Sequence, residues 1–588
     1  MKKHKNICAV CVVIVCAFFA AFTARLVDWQ LVEADRYRET ACASGAAKES
    51  SEPVRGEIYD KNGNGLVVNR TRYKVVVDGG SADGAGLKSA TEKLSALLKK
   101  TGDGRLKPDL KSSPDEPYVF AGDIGQGSVG AVAEGIQDLS GVSLEAYLVR
   151  GAAEPTLAPH ILGALGSVTE EDVGSGEYGL NDRIGKFGIE AAYEDELRGS
   201  GGEKLVFRGT GAEEIKKTAK RGNNVWLTLD KKLQETAVKS LAENIGAARA
   251  QGEAESKLYS EKGRGEDCGS GAVVMLDTRD FSVLAAASYP TYDLNKYSLY
   301  GDYYLGLTRD ERSPLFDRAF DGEFACGSVF KPCVALAALG EKIIDKNTEF
   351  YCTKYYDYYP SGVVECMHFH GAQNLDSAMA HSCNWFFAET GRRLGIGRLD
   401  NCAEKLGLGV KTGVEIGESG GVLAGRDSAD WQEGNTPQAA IGQSDNAFTP
   451  LQLATYTATL ANDGTRLKTH IVSRITSGDN SRVLEDHSKP AAIRRSSFSK
   501  KDLGIVQNAM LGVSKDPEGT AYPVFGDYKI SVAAKTGTAE NAGSDHAVFI
   551  CYAPFEKPEV AVAAVIENGA KGKYAMQVAR DLLDEYFS

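Results

Sequence analysis

Residues 326–340 read CGSVFKPCVALAALG and place a serine and a lysine at the start of an apolar helical pattern. Ser328 and Lys331 are three positions apart, so on a helix their side chains share one face, about 5 to 6 Å apart at Cβ. A lysine that is shielded from water can lose its proton and act as the base toward a nearby hydroxyl. The unpaired N–H groups of a helix N-terminus can stabilise negative charge on a substrate. The stretch predicts a serine nucleophile at the start of a helix.

The Ser-x-x-Lys pattern is weak by itself, because the chain contains it twice. The second match is Ser497 and Lys500 in RRSSFSKKD, a highly charged stretch. That composition is typical of an exposed helix start, where a serine caps free N–H groups. The choice of Ser328 therefore depends on further motifs.

A Ser-x-Asn pattern follows in LDSAMAHSCNWFFAETG, where Ser382 and Asn384 flank Cys383. A serine hydroxyl there can relay a proton, and the asparagine amide can hold the backbone of a substrate. A competing Ser-Asp-Asn triplet occupies positions 444–446. Class A β-lactamases use the Ser-Asp-Asn form, so composition alone favours the competing triplet.

A Lys-Thr-Gly triplet also occurs twice. In KISVAAKTGTAE a strand-like run leads into Lys535, Thr536, Gly537 and Thr538. The lysine and threonines can face a ligand there, Gly537 allows close approach to the backbone, and the N–H of Thr538 can serve an oxyanion hole. The earlier triplet, at positions 411–413, lies in a glycine-bounded turn and predicts a structural loop.

Length and charge limit the classes of function. At 588 residues the chain exceeds the size of a single hydrophobic core, which predicts two to four domains. The formal net charge is -13, with no long basic stretch after the first residues. We therefore expect no nucleic-acid partner.

The N-terminus predicts a single membrane anchor. Residues 1–6 carry three lysines and precede an uncharged apolar run at 7–24, about 27 Å long as a helix. Lysines on the N-terminal side predict a cytoplasmic tail at 1–6, with everything after the anchor outside the membrane. A cleaved signal peptide is the alternative interpretation.

The rest of the chain divides into three regions. A juxtamembrane linker with helical character covers 25–50, and a loop-rich α+β module with short β-type runs covers 51–221. From 222 to 588 strands alternate with helical stretches. Two hairpins, GAVVMLDTRDFSVLAAASYP and HAVFICYAPFEKPEVAVAAVIEN, and a final amphipathic helix in YAMQVARDLLDEYF predict a mixed α/β domain with an antiparallel sheet flanked by helices.

The three motifs in this chain order resemble those of the class B penicillin-binding proteins, the monofunctional D,D-transpeptidases of peptidoglycan synthesis. RGEIYDKNGN at 55–64 and GKFGIEAAYEDELRG at 185–199 are similar to motifs of that family's pedestal. HGAQNLDSAMAHSCNWFF and AIGQSDNAFTPLQLATYTATLANDG are similar to stretches of its transpeptidase domain. The resemblance implies a penicillin-binding transpeptidase fold at 222–588, preceded by a dimerisation-type pedestal at 51–221.

The resemblance also selects among the duplicated motifs. In the family, Ser-x-Asn follows a His-Gly pair, as at 370–371 here, which selects Ser382 and Asn384 over the triplet at 444–446. It implies that Ser328 attacks the penultimate D-Ala carbonyl of a stem peptide and that Lys331 is the base. One position departs from the family pattern, because Cys326 stands where proline is usual.

Further roles are implied for the second and third motifs. Ser382 would relay the proton to the leaving amine, and Asn384 would position the substrate. Lys535, with Thr536 and Thr538 around Gly537, would bind the terminal carboxylate. The N–H groups of Ser328 and Thr538 would form the oxyanion hole.

The resemblance implies a set of partners and leaves two alternatives. The partners are peptidoglycan stem peptides, β-lactam antibiotics, the cell membrane, a polytopic membrane glycosyltransferase, and proteins of division or elongation. One alternative is a D,D-carboxypeptidase or β-lactamase of the same fold. The other is a non-catalytic scaffold of the division or elongation machinery.

A metal site is the last open question from the sequence. Cys352, Cys366, His368 and His370 lie close together in YCTKYYDYYPSGVVECMHFHG and are zinc-type ligands. Their spacing matches no standard zinc pattern, which favours a disulfide or two free thiols on a loop. We therefore expect no cofactor and no metal ligand.

Overall fold

The fold is described from a computed structural model. It describes residues 2–33, 46–51, 53–77, 105–106, 118–139, 141–174, 182–207, 213–259, 262–359, 364–425, 431–489 and 492–588, with isolated residues at 96, 178–179 and 428. The chain forms two compact units, one of residues 1–55 and 198–222 and one of residues 56–197 and 223–588.

The N-terminal run forms one long helix. An α-helix covers Lys2–Val27 and continues as a π-helix over Asp28–Val32. The stretch Val12–Gln30 is long and apolar enough to cross a membrane. This candidate span overlaps the run at 7–24. It ends later than that run, because the helix continues past Arg25 through further apolar residues. Of the linker expected at 25–50, residues 34–45 lie outside the described residues.

The first unit also contains a small antiparallel sheet. Its central strand, Gly202–Phe207, pairs with Ala46–Ser51 on one side and with Glu213–Lys217 on the other.

The second unit contains an eight-stranded sheet that crosses the domain boundary expected at 221 and 222. Its strands, in spatial order, are Val483–Asp486, Val472–Thr476, Asn224–Leu227, Ile58–Tyr59, Gly65–Val77, Tyr118–Ile124 and Arg105–Leu106, with Val142–Ala152 also paired to Gly65–Val77. Asn224–Leu227 pairs in parallel with Ile58–Tyr59 and antiparallel with Val472–Thr476. Backbone pairing thus joins the pedestal region to strands from far along the chain.

A five-stranded antiparallel sheet forms the core of the catalytic region, and we call it the central sheet. In spatial order its strands are Val283–Tyr289, Ser270–Asp277, Val560–Glu567, His546–Ala553 and Ala533–Ala539. Both predicted hairpins are present, with Gly271 opposite Tyr289 in the first and Ala547 opposite Ile566 in the second. The strand Ala533–Ala539, which carries the second Lys-Thr-Gly triplet, lies at an edge of this sheet.

Helices bury the central sheet. All eight residues of Ser270–Asp277 are buried, which requires apolar cover on both faces of the strand. The helix Pro450–Ala461 is buried along its whole length, and the predicted C-terminal helix is present at Lys573–Tyr586, where it packs on Lys231–Tyr259.

The remaining elements are shorter. The other helices are Gln126–Ser128, Val129–Ile136, Pro159–Leu162, Glu170–Gly174, Gly188–Ala192, Glu194–Arg198, Leu294–Leu299, Gly301–Arg309, Gly327–Phe330, Lys331–Gly340, Leu375–Ala380, Asn384–Leu394, Ile396–Leu406, Glu433–Asn435, Thr436–Ala440, Lys500–Lys515 and Tyr522–Phe525. The other strands form the pairs Leu165–Ser167 with Arg183–Gly185, Phe324–Ala325 with Ala447–Phe448, Phe350–Cys352 with Gly371–Gln373, Tyr355–Tyr356 with Val364–Glu365, and Arg466–Leu467 with Ala492–Arg494.

Candidate active site

The serine of the opening motif lies on a tight turn that leads into a buried helix. A 3-10 turn covers Gly327–Phe330, and the α-helix Lys331–Gly340 continues from it. Gly327 has φ +54°, and its N–H donates to the carbonyl of Gly442 at 2.8 Å. A Cβ on Gly442 would lie 1.9 Å from the carbonyl oxygen of Gly327. Gly442 is therefore required to be a glycine, and it holds the turn that presents Ser328.

The same turn packs against the edge strand of the central sheet. A Cβ on Gly327 would lie 2.5 Å from the carbonyl oxygen of Thr538, and a Cβ on Gly537 would lie 2.8 Å from that of Cys326. Glycine at both positions lets the two backbones approach each other. The approach brings the backbone around Ser328 next to the backbone of Thr538. Cys326, at the position where proline is usual, is fully buried.

The two lysines meet at one serine hydroxyl. Lys331 Nζ donates to Asn384 Oδ1 at 2.6 Å, to Ser382 O at 2.7 Å and to Ser382 Oγ at 3.1 Å. Lys535 Nζ donates to the same Ser382 Oγ at 2.9 Å and to Thr536 O at 2.9 Å. The three motifs selected from the sequence thus lie together, with Ser382 between the two ammonium groups.

Burial changes the acid–base properties of both lysines. Lys331 and Lys535 are each fully buried. Burial lowers the pKa of Lys331 to about 8, against the opposing effect of the neighbouring Cys383 and Cys366. Burial and then the charge of Lys331 lower the pKa of Lys535 well below its usual value. Because two ammonium groups at one hydroxyl repel each other, the site favours a neutral amine on at least one lysine.

Ser382 has a strained backbone. Its φ is +55°, in the left-handed region, where a non-glycine residue costs about 1–3 kcal/mol. The residue lies between the helices Leu375–Ala380 and Asn384–Leu394, and its carbonyl accepts the bond from Lys331. This conformation directs the Ser382 side chain toward both lysines.

The competing serine motifs are elsewhere and have structural roles. Ser497 and Lys500 are exposed, and the cap of the helix that follows is Ser499, whose hydroxyl accepts the N–H of Asp502 at 3.0 Å. Ser444 is exposed on a loop, while Asn446 is buried and bonds to backbone groups of Ala424 and Ala439.

The earlier Lys-Thr-Gly triplet forms a structural loop. The carboxylate of Glu418 accepts bonds from Thr412 Oγ1 at 2.9 Å and from the N–H of Gly413 at 2.8 Å. Lys411 is exposed. The prediction of a loop at this triplet is confirmed.

Sequence reasoning missed Thr520. Its hydroxyl accepts a bond from Thr536 Oγ1 at 2.7 Å, and its N–H donates to the carbonyl of Ala380 at 3.1 Å. Thr520 therefore links the Lys-Thr-Gly strand to the helix before Ser382. It lies in no recognisable motif, so only the fold identifies it.

A cluster of metal-binding side chains lies beside the site, and we call it the thiol cluster. It consists of Cys352, Cys366, His370 and Cys383, whose ligand atoms all lie within 4.8 Å of one another. Cys352 Sγ is 3.7 Å from Cys366 Sγ and 3.6 Å from His370 Nδ1, and Cys366 Sγ is 3.8 Å from Cys383 Sγ. The cysteines are free thiols rather than a disulfide.

The composition of the cluster differs from the set considered from the sequence. His368 is exposed and outside it, and Cys383 takes its place. Cys383 is 17 residues beyond Cys366, so spacing along the chain could not show that it joins the group. The only sequence feature that could have drawn attention to Cys383 was its position inside the Ser-x-Asn motif.

The donor atoms fit a zinc ion. A tetrahedral ion at about 2.3 Å from sulfur and about 2.0 Å from nitrogen separates its ligand atoms by roughly 3.5 to 3.8 Å. Three of the six separations in the thiol cluster are 3.6, 3.7 and 3.8 Å, and all six lie within 4.8 Å. Three thiols and one imidazole form a closed donor set of the kind that structural zinc sites use.

The thiol cluster supports Asn384 from two sides. Cys383 immediately precedes Asn384, and Asn384 Nδ2 donates to the carbonyl of Glu365, next to Cys366, at 2.8 Å. The N–H of Trp385 donates to Cys366 Sγ at 3.1 Å. The contact of Asn384 with Lys331 therefore depends on the position of these cysteines.

Comparison with known families gives two matches. Residues 271–584 match the penicillin binding protein transpeptidase domain, and residues 50–227 match the penicillin-binding protein dimerisation domain.

Individual relatives match along nearly the whole chain. The peptidoglycan D,D-transpeptidase MrdA of Escherichia coli (strain K12) is 27% identical over 95% of this chain and 90% of its own. The protein of the same name from Acinetobacter baumannii is 27% identical over 98% of this chain and 86% of its own.

Solved structures show the same fold. A chain from a structure on the coordination of polymerization and crosslinking by a peptidoglycan synthase complex has a TM-score of 0.75 at 27% identity, covering 99% of this chain and 98% of that one. A chain from the complex between penicillin-binding protein PBP2 and MreC from Helicobacter pylori has a TM-score of 0.71 at 26% identity, covering 92% and 99%.

Proposed function

Since this chain belongs to the class B penicillin-binding proteins, the family of peptidoglycan D,D-transpeptidases, we propose that it crosslinks stem peptides through an acyl-enzyme on Ser328. The observation that carries the proposal is the meeting of Lys331 and Lys535 at the hydroxyl of Ser382, beside the turn that presents Ser328. Buried lysines of lowered pKa around a serine are suited to nucleophilic catalysis.

In the first step Ser328 Oγ attacks the carbonyl carbon of the penultimate D-Ala. Lys331, three residues later on the same face, accepts the hydroxyl proton as a neutral amine. The N–H groups of Ser328 and Thr538 stabilise the oxyanion. The close packing of Gly327 on Thr538 supports this pairing, because it holds the two backbone segments side by side.

The leaving group then needs a proton. Ser382 Oγ accepts a bond from each lysine, so it can pass a proton from Lys331 to the amine of the terminal D-Ala. Asn384, which bonds Lys331 through its carbonyl oxygen, keeps that lysine in place and positions the substrate. Departure of D-Ala leaves the ester on Ser328.

The substrate's terminal carboxylate binds at the edge strand. Its negative charge favours the ammonium form of Lys535 and so reverses the effect of burial on that pKa. The exposed Thr538 hydroxyl donates to the carboxylate, and the Thr536 hydroxyl does so once it turns away from Thr520. A β-lactam carries an equivalent carboxylate beside its reactive amide and traps Ser328 as a stable ester.

The second half-reaction transfers the acyl group to an amine. An amino group of a neighbouring stem peptide attacks the ester and gives a proton to the neutral amine of Lys331, which passes it to Ser328 Oγ as the ester bond breaks. Passing the acyl group to water instead would give the carboxypeptidase or β-lactamase alternative. The candidate membrane span and the match to the dimerisation domain favour transpeptidation, because relatives that align along 95% of this chain are named peptidoglycan D,D-transpeptidases.

We assign the anchor the orientation given by its flanking lysines. The tail before the span lies in the cytoplasm and the catalytic region lies outside the membrane. The match to chains from a peptidoglycan synthase complex and a complex with MreC supports partners of those two kinds. The boundary at 221 and 222 separates pedestal from catalytic region in function, although one sheet spans it.

The direct test is to follow the fate of the acyl group. Full-length protein with a partner glycosyltransferase and lipid-linked precursor is expected to yield crosslinked dimeric muropeptides, measured by mass spectrometry after glycan digestion. A product mixture of trimmed monomers alone would indicate a carboxypeptidase. No reaction and no penicillin adduct would indicate the scaffold.

The pH dependence of acylation tests the role of Lys331. The neutral amine is the base, and its fraction rises as the pH rises through the pKa of about 8, so the rate of penicillin acylation is expected to increase across that value. The measurement is the initial labelling rate between pH 6 and 10. Lys331→Arg stays protonated throughout and is expected to be slow at every pH. A wild-type rate that is flat through pH 8 would contradict this role.

A second proposed function is zinc binding by Cys352, Cys366, His370 and Cys383, which the ligand separations favour. The ion would cross-link the segments that carry Cys352, Cys366 and His370 to the helix start at Cys383, without taking part in the reaction. Its three thiolates and one imidazole leave no open position for substrate.

Metal analysis tests this assignment. The purified protein is expected to contain one zinc per chain, and Cys366→Ala is expected to lose it and to acylate about 10- to 100-fold more slowly. His368→Ala is the matched control, since this exposed histidine lies two residues from Cys366 but outside the cluster. The absence of stoichiometric zinc in the wild type would exclude the site.

A further inference from the structure

The thiol cluster has a chemical property that its zinc-binding role does not use. Three of its four donors are thiols, and the Sγ atoms of Cys352 and Cys366 are 3.7 Å apart. We propose that these two cysteines are an oxidation site at which a peroxide forms a disulfide, expels the metal and slows acylation at Ser328. The proposal rests on the proposed function, which places the catalytic region outside the membrane, where disulfides form and persist.

The chemistry balances with hydrogen peroxide as the oxidant. One thiolate attacks a peroxide oxygen, the O–O bond breaks, and a sulfenic acid and hydroxide form. The second thiolate attacks the sulfenic sulfur, the S–S bond forms, and a second hydroxide leaves. The two cysteines together lose two electrons, the peroxide gains them, and two protons from solvent turn the hydroxides into water. Zn²⁺ is left with only Cys383 and His370 and dissociates.

A small oxidant can reach the buried sulfurs. Cys352 and Cys366 are each only 1% exposed, but Cys366 is followed directly by Met367, which is 83% exposed. His368 and Phe369 are also exposed, and the ligand His370 is half-buried. Cys366 is therefore one residue along the chain from the protein surface, where local opening admits a small oxidant.

Oxidation disturbs the catalytic site through Cys366. A disulfide needs a sulfur–sulfur distance of about 2.05 Å, so the two Sγ atoms must move together from 3.7 Å. Cys366 Sγ now accepts the N–H of Trp385, and the adjacent carbonyl of Glu365 accepts Asn384 Nδ2. Movement of Cys366 toward Cys352 pulls on both contacts. Asn384 then no longer fixes Lys331, which reduces the rate of proton transfer from Ser328.

The other thiols of the described chain do not share this arrangement. Cys402 Sγ donates a weak hydrogen bond to the carbonyl oxygen of Cys333 at 3.8 Å, and both cysteines are buried in the core. Burial and the neighbouring Cys402 raise the pKa of the Cys333 thiol well above its usual value, which disfavours the thiolate that attacks a peroxide. Cys16 is exposed, but it lies on the N-terminal helix. Among the described cysteines, we therefore expect the reaction at the thiol cluster.

The test uses full-length zinc-loaded protein treated with hydrogen peroxide. The expected result is release of one zinc per chain, loss of two thiols, a Cys352–Cys366 disulfide in the peptide map, and a roughly tenfold fall in penicillin acylation rate. A thiol reductant with added zinc is expected to remove the disulfide and to return the zinc content, the thiol count and the acylation rate to their untreated values. Zinc release and thiol loss are measured independently of acylation, so these two results do not depend on the proposed catalytic function.

Two variants make the test specific. In Cys352→Asp combined with Cys366→Asp, carboxylates can still ligate zinc but cannot form a disulfide. The ratio of its treated to untreated acylation rate is expected to stay near one, whatever the untreated rate is. Cys16→Ser removes a thiol of the candidate membrane span, outside the cluster, and is expected to respond to peroxide as the wild type does.

Specific outcomes would overturn the inference. They are a wild-type protein that keeps its zinc and thiols in peroxide, a disulfide that forms without slowing acylation, and a double aspartate variant that loses acylation as the wild type does. If the untreated wild type binds zinc but is never acylated, the catalytic proposal fails instead.

Discussion

Ser328→Ala is expected to abolish covalent labelling by fluorescent penicillin, with a fall in the acylation rate of at least about a thousandfold. The alanine side chain has no hydroxyl, so no ester can form, whatever the remaining groups contribute to binding. Ser328 lies partly exposed on the turn Gly327–Phe330, so the loss of one oxygen leaves the packing of that turn intact. The measurement is gel fluorescence after a time course with excess penicillin, and intact-mass analysis for the adduct.

The control for Ser328 is the second serine of the same pattern. Ser497 is exposed at the approach to the helix Lys500–Lys515, and Ser497→Ala is expected to label as the wild type does. Both variants are expected to keep the wild-type melting temperature. Labelling that persists in Ser328→Ala would show that another residue is the nucleophile.

Lys535→Ala is expected to lower the acylation rate about 100- to 1,000-fold, the second largest effect. The substitution removes the ammonium that faces the substrate carboxylate and one of the two bonds to Ser382 Oγ. The measurement is the second-order rate constant for penicillin acylation, with a thermal melt to detect any loss of folding from the cavity.

The other Lys-Thr-Gly triplet supplies the control. Lys411 is also followed by threonine and glycine, but its side chain is exposed. Its loop is held by hydrogen bonds from Thr412 and Gly413 to the carboxylate of Glu418. Lys411→Ala is expected to leave the acylation rate unchanged. Equal effects of the two substitutions would contradict the assignment of the carboxylate site to the edge strand.

The local pattern of the chain was enough to predict several elements. Runs of apolar residues broken by short turns predicted the two hairpins at 271–290 and 546–568, and both hairpins are present. The amphipathic C-terminal helix and the apolar N-terminal helix are also present. In each case the partner lies close along the chain or the signal lies within one element, so no distant contact had to be known.

Long-range pairing was not predictable in the same way. The strand Val472–Thr476 joins the sheet of the pedestal region about 250 residues earlier in the chain, through Asn224–Leu227. The composition of this strand does not identify the strand with which it pairs, because backbone hydrogen bonds are the same for any pair of strands. A boundary drawn from composition therefore passes through a continuous sheet.

The sequence by itself determined the residue types and order of the three motifs, and through their resemblance it selected Ser328, Ser382 and Lys535. Only the tertiary structure brought two buried lysines onto the Ser382 hydroxyl and added Cys383 to Cys352, Cys366 and His370. The physical reason is that burial sets a lysine's pKa and the distances between ligand atoms set a metal site. Both arise from packing between segments far apart in the chain, which spacing along the sequence does not encode.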